Sequence, residues 1–461
     1  MKVTNIKIKA LAVSALVAAG LAGAHAQDTY SGFFVDNYDY RFQMNPAFGN
    51  ERNFVSFPVL GNLNFAMRGN LNVSDIFYKL DGRTVLFTNP GIGTDEAMSK
   101  FGDKNRLDAN IKVNILSAGF RAFGGYNTVN LSASANLYAT LPGAFFSLAK
   151  EGITNTTYDI HHLAGYSDAY AQLALGHSHE IRQVPGLRVG AAVKFLIGAG
   201  SVDFRLDRAD LTLGQDSWRA VTNANIYASL KGMKFETDVN DKTGHRYVSG
   251  ASLDDVSAPN GFGVGFDLGA QYKWRDFTFS AAVLDLGFIK WGKTAWASTD
   301  GDQTIDTDAY IFNANGDADN SFSDEWDRLT DDLSRLYELN DKGELSSRTR
   351  SLAATLNFGV DYEFPYYRNL HFGLVNSTRI NGPYTWTQFR LSANVAPVKW
   401  LSGGINMVAG TYGVGFGWLL NIHTTGFNLF VGMDHTIGRL SKQLIPLKSN
   451  ADFNLGINFP F

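Results

Sequence analysis

The chain contains no cysteine, which excludes disulfides, thiolate metal sites and cysteine nucleophiles. The same absence removes the lipidated cysteine by which exported proteins are anchored through acyl chains. No long hydrophobic run follows residue 26, so a mature chain that crosses a membrane must do so with strands. An excess of positive charge is also missing. Without the leader lysines Lys2, Lys7 and Lys9, the 40 basic residues fall to 37 against 44 acidic ones. That balance argues against a nucleic-acid partner, which wants a basic face. Proline is scarce, with 11 residues against 47 glycines, while aromatics reach 13%. Apolar residues make up 45% of the chain, yet mean hydropathy is -0.12, as expected when apolar and polar positions alternate.

Residues 1–26 read as a secretory signal peptide. The three lysines form a cationic start, Ala10 to Gly23 an apolar stretch too short to span a bilayer, and Ala24-His25-Ala26 a cleavage site. At the other end, Phe453, Leu455, Ile457, Phe459 and Phe461 alternate with Asp452, Asn454, Gly456, Asn458 and Pro460. A strict period of two sets one face against an apolar phase and leaves the other polar. Export together with a terminal strand ending on an aromatic points to a closed barrel in the outer membrane of a Gram-negative cell. Phe459 and Phe461 are the expected terminal signal for the barrel-assembly machinery.

The alternation begins after a weakly periodic stretch, 27–61. Leu63, Phe65, Met67, Leu71 and Val73 oppose Asn62, Asn64, Arg68, Asn70 and Asn72. Further strands are expected near 107–115, 128–139, 168–178, 187–197, 262–274, 277–289, 350–362, 370–378, 387–396, 400–409, 413–422, 427–435 and 452–461. The cleanest sets Phe262, Val264, Phe266, Leu268, Ala270, Tyr272 and Trp274 against Gly263, Gly265, Asp267, Gly269, Gln271 and Lys273. That makes about 14 strands. Two more, near 202–211 and 218–230, make 16 possible; the first carries Asp203, Arg205, Asp207, Arg208 and Asp210 and is set outside the wall. The expected fold is all-β: a closed antiparallel transmembrane barrel with an N-terminal luminal plug. The expected division is signal peptide 1–26, plug 27–61 and barrel 62–461. Connections at 274–277, 363–369, 397–399 and 423–426 are short, whereas 74–106, 140–167, 198–261, 290–349 and 436–451 are long, the inner and outer pattern of such barrels. The short outer turn at 410–413 departs from it. Trp274, Tyr366, Tyr367, Trp386, Trp400 and Trp291 are expected in interfacial girdles. In the acidic loop 298–345, Trp326, Leu329, Leu333, Leu336 and Tyr337 predict a short amphipathic helix after Ser323.

Several motifs resolve to ordinary readings. Gly287 to Thr294 matches a phosphate-binding loop letter for letter, but Phe288, Ile289 and Trp291 fill its interior and no helix start follows. The glycine pairs of 261–265 and 413–417 read as a lumen-facing row. Asp300, Asp302, Asp306, Asp308, Asp317 and Asp319 complete no calcium loop, so no metal site is expected. His161-His162 and His177-Ser178-His179 would serve a hydrolase of the phospholipase or omptin type only with a nucleophile in reach, and no G-x-S-x-G elbow is present. The chain is therefore read as a non-enzyme, with no catalytic residues and no cofactor.

Tyr40-Arg41, Asn45-Pro46-Ala47-Phe48 and Phe54-Val55-Ser56-Phe57-Pro58 precede the first strand; Val283-Leu284-Asp285-Leu286-Gly287 and terminal Phe461 lie further on. These resemble a family of Gram-negative outer-membrane barrels of unassigned function, which in turn resemble the long-chain fatty-acid transporter barrels. The resemblance implies 14 strands and a hatch before the first of them. On it, Tyr40, Arg41, Asn45, Pro46, Ala47 and Phe48 are the expected plug and solute path. The acidic outer loop and the Asn- and Asp-rich inner face depart from the transporters. The expected function is a passive, monomeric channel or transporter for a small hydrophobic or amphipathic solute, with outer-membrane lipid as its surroundings. The alternative is a non-transporting scaffold or adaptor for a secretion or surface complex.

Overall fold

In a computed structural model the chain closes into a barrel of fourteen antiparallel strands. Described are residues 29–50, 52–152, 156–213, 218–239, 244–253, 259–299, 303–306, 338–436 and 450–461. The leader and the proposed helix after Ser323 lie outside them. The wall runs through β1 (Phe54–Ser56 and Asn62–Gly69), β2 (Lys104–Ala122), β3 (Gly125–Pro142), β4 (Ala164–Glu180), β5 (Leu187–Leu213), β6 (Gly261–Trp274) and β7 (Phe277–Trp291). It continues through β8 (Arg348–Ser351 and Ala354–Glu363), β9 (Leu370–Ile380), β10 (Trp386–Val398), β11 (Leu401–Gly410), β12 (Gly413–His423), β13 (Asn428–Met433) and β14 (Ala451–Pro460). Each strand pairs with the next, and β14 closes on β1 through Leu63↔Leu455 and Phe54↔Pro460. Closure leaves no sheet edge, so every wall strand finds partners on both sides where water is absent. Among the described residues no helix is long and apolar enough to cross a membrane.

All fourteen expected wall strands are present. The charged stretch at 202–211 is the outer continuation of β5, and there it pairs with Trp218–Leu230 instead of β6. Trp218–Leu230 pairs in turn with Thr294–Ser298 and Gln303–Asp306. Met233–Val239 and Arg246–Leu253 form a separate hairpin. The long loops 198–261 and 290–349 thus carry the wall sheet outward as an extension, beside which that hairpin stands alone. Arg205, Asp207 and Arg208 are exposed there and Asp210 is half-buried, while Asp203 is buried and paired with Arg205, Arg348 and Arg350; burying such charges in hydrocarbon would be prohibitive.

Alternation sets the two faces. On β6, Phe262, Phe266, Leu268, Tyr272 and Trp274 are exposed to the lipid side while Asp267 is buried inside. Phe266→Arg should destabilise the barrel by about 2–4 kcal/mol at mid-membrane. Urea unfolding in lipid vesicles checks this, and an unchanged midpoint would show that the position does not face hydrocarbon.

Four expectations need correction. The wall begins at Phe54, not Asn62, because Phe54–Ser56 already pairs with β14 and β2; Pro58 and the positive φ of Val59 then interrupt the strand. Leu71 and Val73 leave β1, which stops at Gly69, and Leu71 packs against an outer cluster around Phe87 and Phe146. Trp386 is buried beneath the Arg68 guanidinium, 5.2 Å from its ring centroid. Trp291 is fully buried beside Leu196 and Ile289. Its inversion follows from a bulge: Phe266 pairs with Leu286 but Leu268 with Val283, and Asp285 has φ 59°. One extra residue turns everything after it to the opposite face, so Lys290 points out and Trp291 in.

Candidate functional site

Residues 29–50 lie on the inner side of the wall as two short 3₁₀ turns, Tyr30–Gly32 and Asp39–Gln43, joined by irregular backbone. Irregular backbone leaves many N–H and C=O groups without a ladder, and burial obliges each to find a partner. The inward Asn and Ser side chains of the wall supply them. Ser402 Oγ donates to the Asp36 carbonyl at 2.6 Å, Asn421 Nδ2 to Asn37 at 3.0 Å and Asn357 Nδ2 to Met44 at 2.9 Å. The Asn-rich inner face therefore serves the N-terminal segment as well as the lumen.

At the segment's start, Asp434 accepts two backbone N–H groups, Tyr30 on Oδ2 at 2.9 Å and Ser31 on Oδ1 at 2.5 Å. Arg390 and Arg68 stand 3.7 and 3.9 Å from the same carboxylate. Ser31 Oγ donates to the Met433 carbonyl at 2.9 Å and accepts from Asn406 Nδ2 at 3.0 Å.

Apolar packing fills the interval. Phe33, Phe34, Tyr38, Tyr40, Phe42, Met44 and Phe48 form one buried cluster with wall residues Val375, Leu419 and Phe430. Tyr38 meets Phe430 edge-on at 4.9 Å and Phe33 meets Phe48 at 5.2 Å. Each such ring stabilises the seated segment by roughly 1.5–3 kcal/mol.

The six sequence-predicted site residues all fall in this segment, and the fold spreads them over its length. Tyr40 donates to Asn458 Oδ1 at 3.0 Å, and Arg41 lies 4.7 Å over the Phe48 ring. Asn45 Nδ2 reaches the carbonyls of Ala270 and Ala281 at 3.2 and 3.3 Å, while its Oδ1 accepts from Ala47 N–H at 2.9 Å. Pro46 presses on the backbone of β5 and β6. A Cβ at Gly190 would collide with the Pro46 carbonyl and one at Gly269 with Asn45 Oδ1, which explains glycine at both. Phe459 faces outward beside Phe57, 6.1 Å between centroids, and Phe461 is exposed.

Asp39 sits in the same packing. It accepts from Asn428 Nδ2 at 2.6 Å, and burial pushes its carboxyl up to about 6, against the opposing pull of Asn428, Asn458 and Arg52. The ordinary value is 3.8, so the charged form weakens seating at neutral pH, and that penalty disappears as pH falls through about 6 toward 4. Seating should therefore tighten by roughly 2–3 kcal/mol between pH 7.5 and 4.5. Protease resistance of the segment checks this against Asp39→Asn, which should be flat with pH.

The segment packs mainly against β8 to β14 and β1, leaving a small polar chamber of about 70 Å³ toward β2 to β7. Phe42, Gln43, Asn110, Lys112, Tyr170, Gln172, Lys194, Asp267, Asp285 and Arg379 line it. Lys194 Nζ bridges Asp267 Oδ1 at 2.7 Å and Asp285 Oδ1 at 2.6 Å. Sequence reading missed Asp434, Arg390, Lys194 and Arg379. Their signal was a charge within an apolar strand, present at Lys194, Arg379 and Arg390 as it was at Asp267, while Asp434 lies just past the end of the short β13.

The histidine clusters stay apart. His161 and His162 lie before the outer end of β4, where His161 pairs with Asp159, while His177 lies at the inner end and meets Asn127 Oδ1 at 2.9 Å. Among the described residues, neither holds a serine in a hydrogen-bonded arrangement.

The profile described as "Family of unknown function (DUF5723)" matches residues 46–434, well over half of the chain. The chain belongs to that family. This DUF5723 member has no match among curated proteins. Among solved structures it is similar to the P. putida toluene transporter TodX, at 10% identity over 90% of this chain and 91% of that one, TM-score 0.38. It is also similar to the Ralstonia pickettii toluene transporter TbuX, at 8% identity over 95% of each chain, TM-score 0.38. A Pseudomonas aeruginosa FadL homologue aligns at 10% identity over 95% of this chain and all of that one, TM-score 0.39. The barrel itself rests on the pairing of its own fourteen strands.

Proposed function

We propose that this DUF5723 member is an outer-membrane channel whose N-terminal segment is a plug, and that a small amphipathic solute passes when the plug moves. The seating of residues 29–50 by side-chain contacts, with no strand pairing to the wall, carries this reading. A strand in the ladder could not leave without opening the sheet, whereas side-chain anchors release one by one. The polar chamber beside the plug, with Tyr170 and Phe42 among charged groups, favours the amphipathic end of the solute range over a purely apolar one. The proposed site residues are Tyr40, Arg41, Asn45, Pro46, Ala47 and Phe48, acting as plug contacts. The barrel is taken as a monomer assembled through its C-terminal strand, without cofactor or chemistry.

Planar-bilayer conductance and liposome uptake, with and without residues 27–50, test the proposal. The full chain should be largely closed and the shortened one open. A barrel that stays closed without those residues would sink the channel reading and favour a scaffold, whose partners would meet the outward extension of the wall sheet.

A further inference from the structure

The one guanidinium lining the chamber has no acceptor among the described residues. Arg379, at the outer end of β9, lines the chamber, donates no hydrogen bond to any described residue, and buries its Nε without a partner. Other arginines of the barrel do donate: Arg348 and Arg350 to Asp203 at 2.6 and 3.1 Å, and Arg390, whose Nε and Nη2 are also unpartnered, through Nη1 to the Asp434 carbonyl at 3.1 Å. The chamber's two carboxylates, Asp267 and Asp285, are already engaged by Lys194. With Lys112 and Arg379, the chamber sets three cations against those two acids. A fixed fork of N–H donors without an acceptor fits a planar, two-oxygen anion, to which arginine binds through paired hydrogen bonds.

We propose that Arg379 is the binding group of a small-oxyanion site in this chamber, taking the carboxylate or phosphate of the amphipathic solute. Cationic side chains lining a pore concentrate anions and set its selectivity. The Gln172 amide lines the same space and supplies a neutral donor for the rest of the ligand, whereas Asn110 and Asn136 already donate to Asn136, Tyr138 and Asp168. The inference deepens the channel reading and rests on it for its physiological meaning.

Equilibrium dialysis of the full chain in detergent against labelled acetate and, separately, labelled inorganic phosphate tests the site. At least one anion should bind, and Arg379→Gln should weaken that binding about tenfold or more. Arg379→Lys should fall between the two, since it keeps the charge and loses the fork. Heat-modifiable gel migration confirms that each variant is a closed barrel. Acetate binding alone assigns a carboxylate, phosphate binding alone a phosphate. Binding of neither to the wild-type protein, or binding unchanged in Arg379→Gln, overturns the proposal. Dialysis reads occupancy and not passage, so a barrel that binds but never conducts sinks only the channel reading.

Discussion

Asp434→Ala is expected to unseat the N-terminal segment and raise the bilayer conductance of the full-length protein toward that of a plugless barrel. The substitution removes the carboxylate that accepts the Tyr30 and Ser31 N–H groups. It also leaves Arg390 and Arg68 without the carboxylate 3.7 and 3.9 Å away. Removing one partner from a buried charged contact costs about 3–5 kcal/mol, more than substituting both partners, because the remaining charge stays dry. That loss falls on the first turn of the segment, where no strand pairing holds it. Asp434→Asn keeps an acceptor oxygen and should have a smaller effect. Limited proteolysis of residues 29–50 should rise in step with conductance; a resistant segment and a silent bilayer in Asp434→Ala would remove Asp434 as the anchor.

Lys194→Met carries the second large expected effect, on the wall instead of the plug. Lys194 is buried between two carboxylates at 2.7 and 2.6 Å, and Asp267 Oδ1 also accepts the Asp285 N–H at 2.8 Å across the bulge. Methionine retains most of the volume and removes the charge, leaving two acids facing each other. The expected cost is about 3–5 kcal/mol in the urea midpoint of the barrel. Adding Asp267→Asn and Asp285→Asn should recover most of it, since the asparagines keep an acceptor for the Asp285-position N–H and bring no charge. A triple variant no more stable than Lys194→Met would show that volume, not charge, governs the site.

Strand number and direction were legible because lipid and lumen impose opposite chemistry at a period of two, and no other arrangement of Phe262 to Trp274 satisfies both phases. The charge on 202–211 likewise told that this stretch leaves the membrane. The stretch before the first strand was legible as a break in periodicity, while the role of Asn45-Pro46-Ala47 as part of a plug came only from the family resemblance. Trp291 and Trp386 were not. Both sit at strand ends, where tryptophan commonly marks the interface, and only a bulge at Asp285 and the placement of Arg68 decide that they point inward. Leu71 was misread for a related reason: the chain keeps its alternation for two residues after β1 has ended.

The sequence by itself determined the class of fold, about fourteen crossings and, short of the bulges and strand ends, which side of a strand meets lipid, since these follow from local alternation and from charge that hydrocarbon will not accept. Tertiary structure decided what occupies the interior. The contacts of Asp434 with Tyr30 and Ser31, of Asn45 with β6 and β7, and of Lys194 with Asp267 and Asp285 join residues tens to hundreds of positions apart. No local pattern encodes such pairings, because the inward face of a barrel becomes a common surface only when the first and last strands meet.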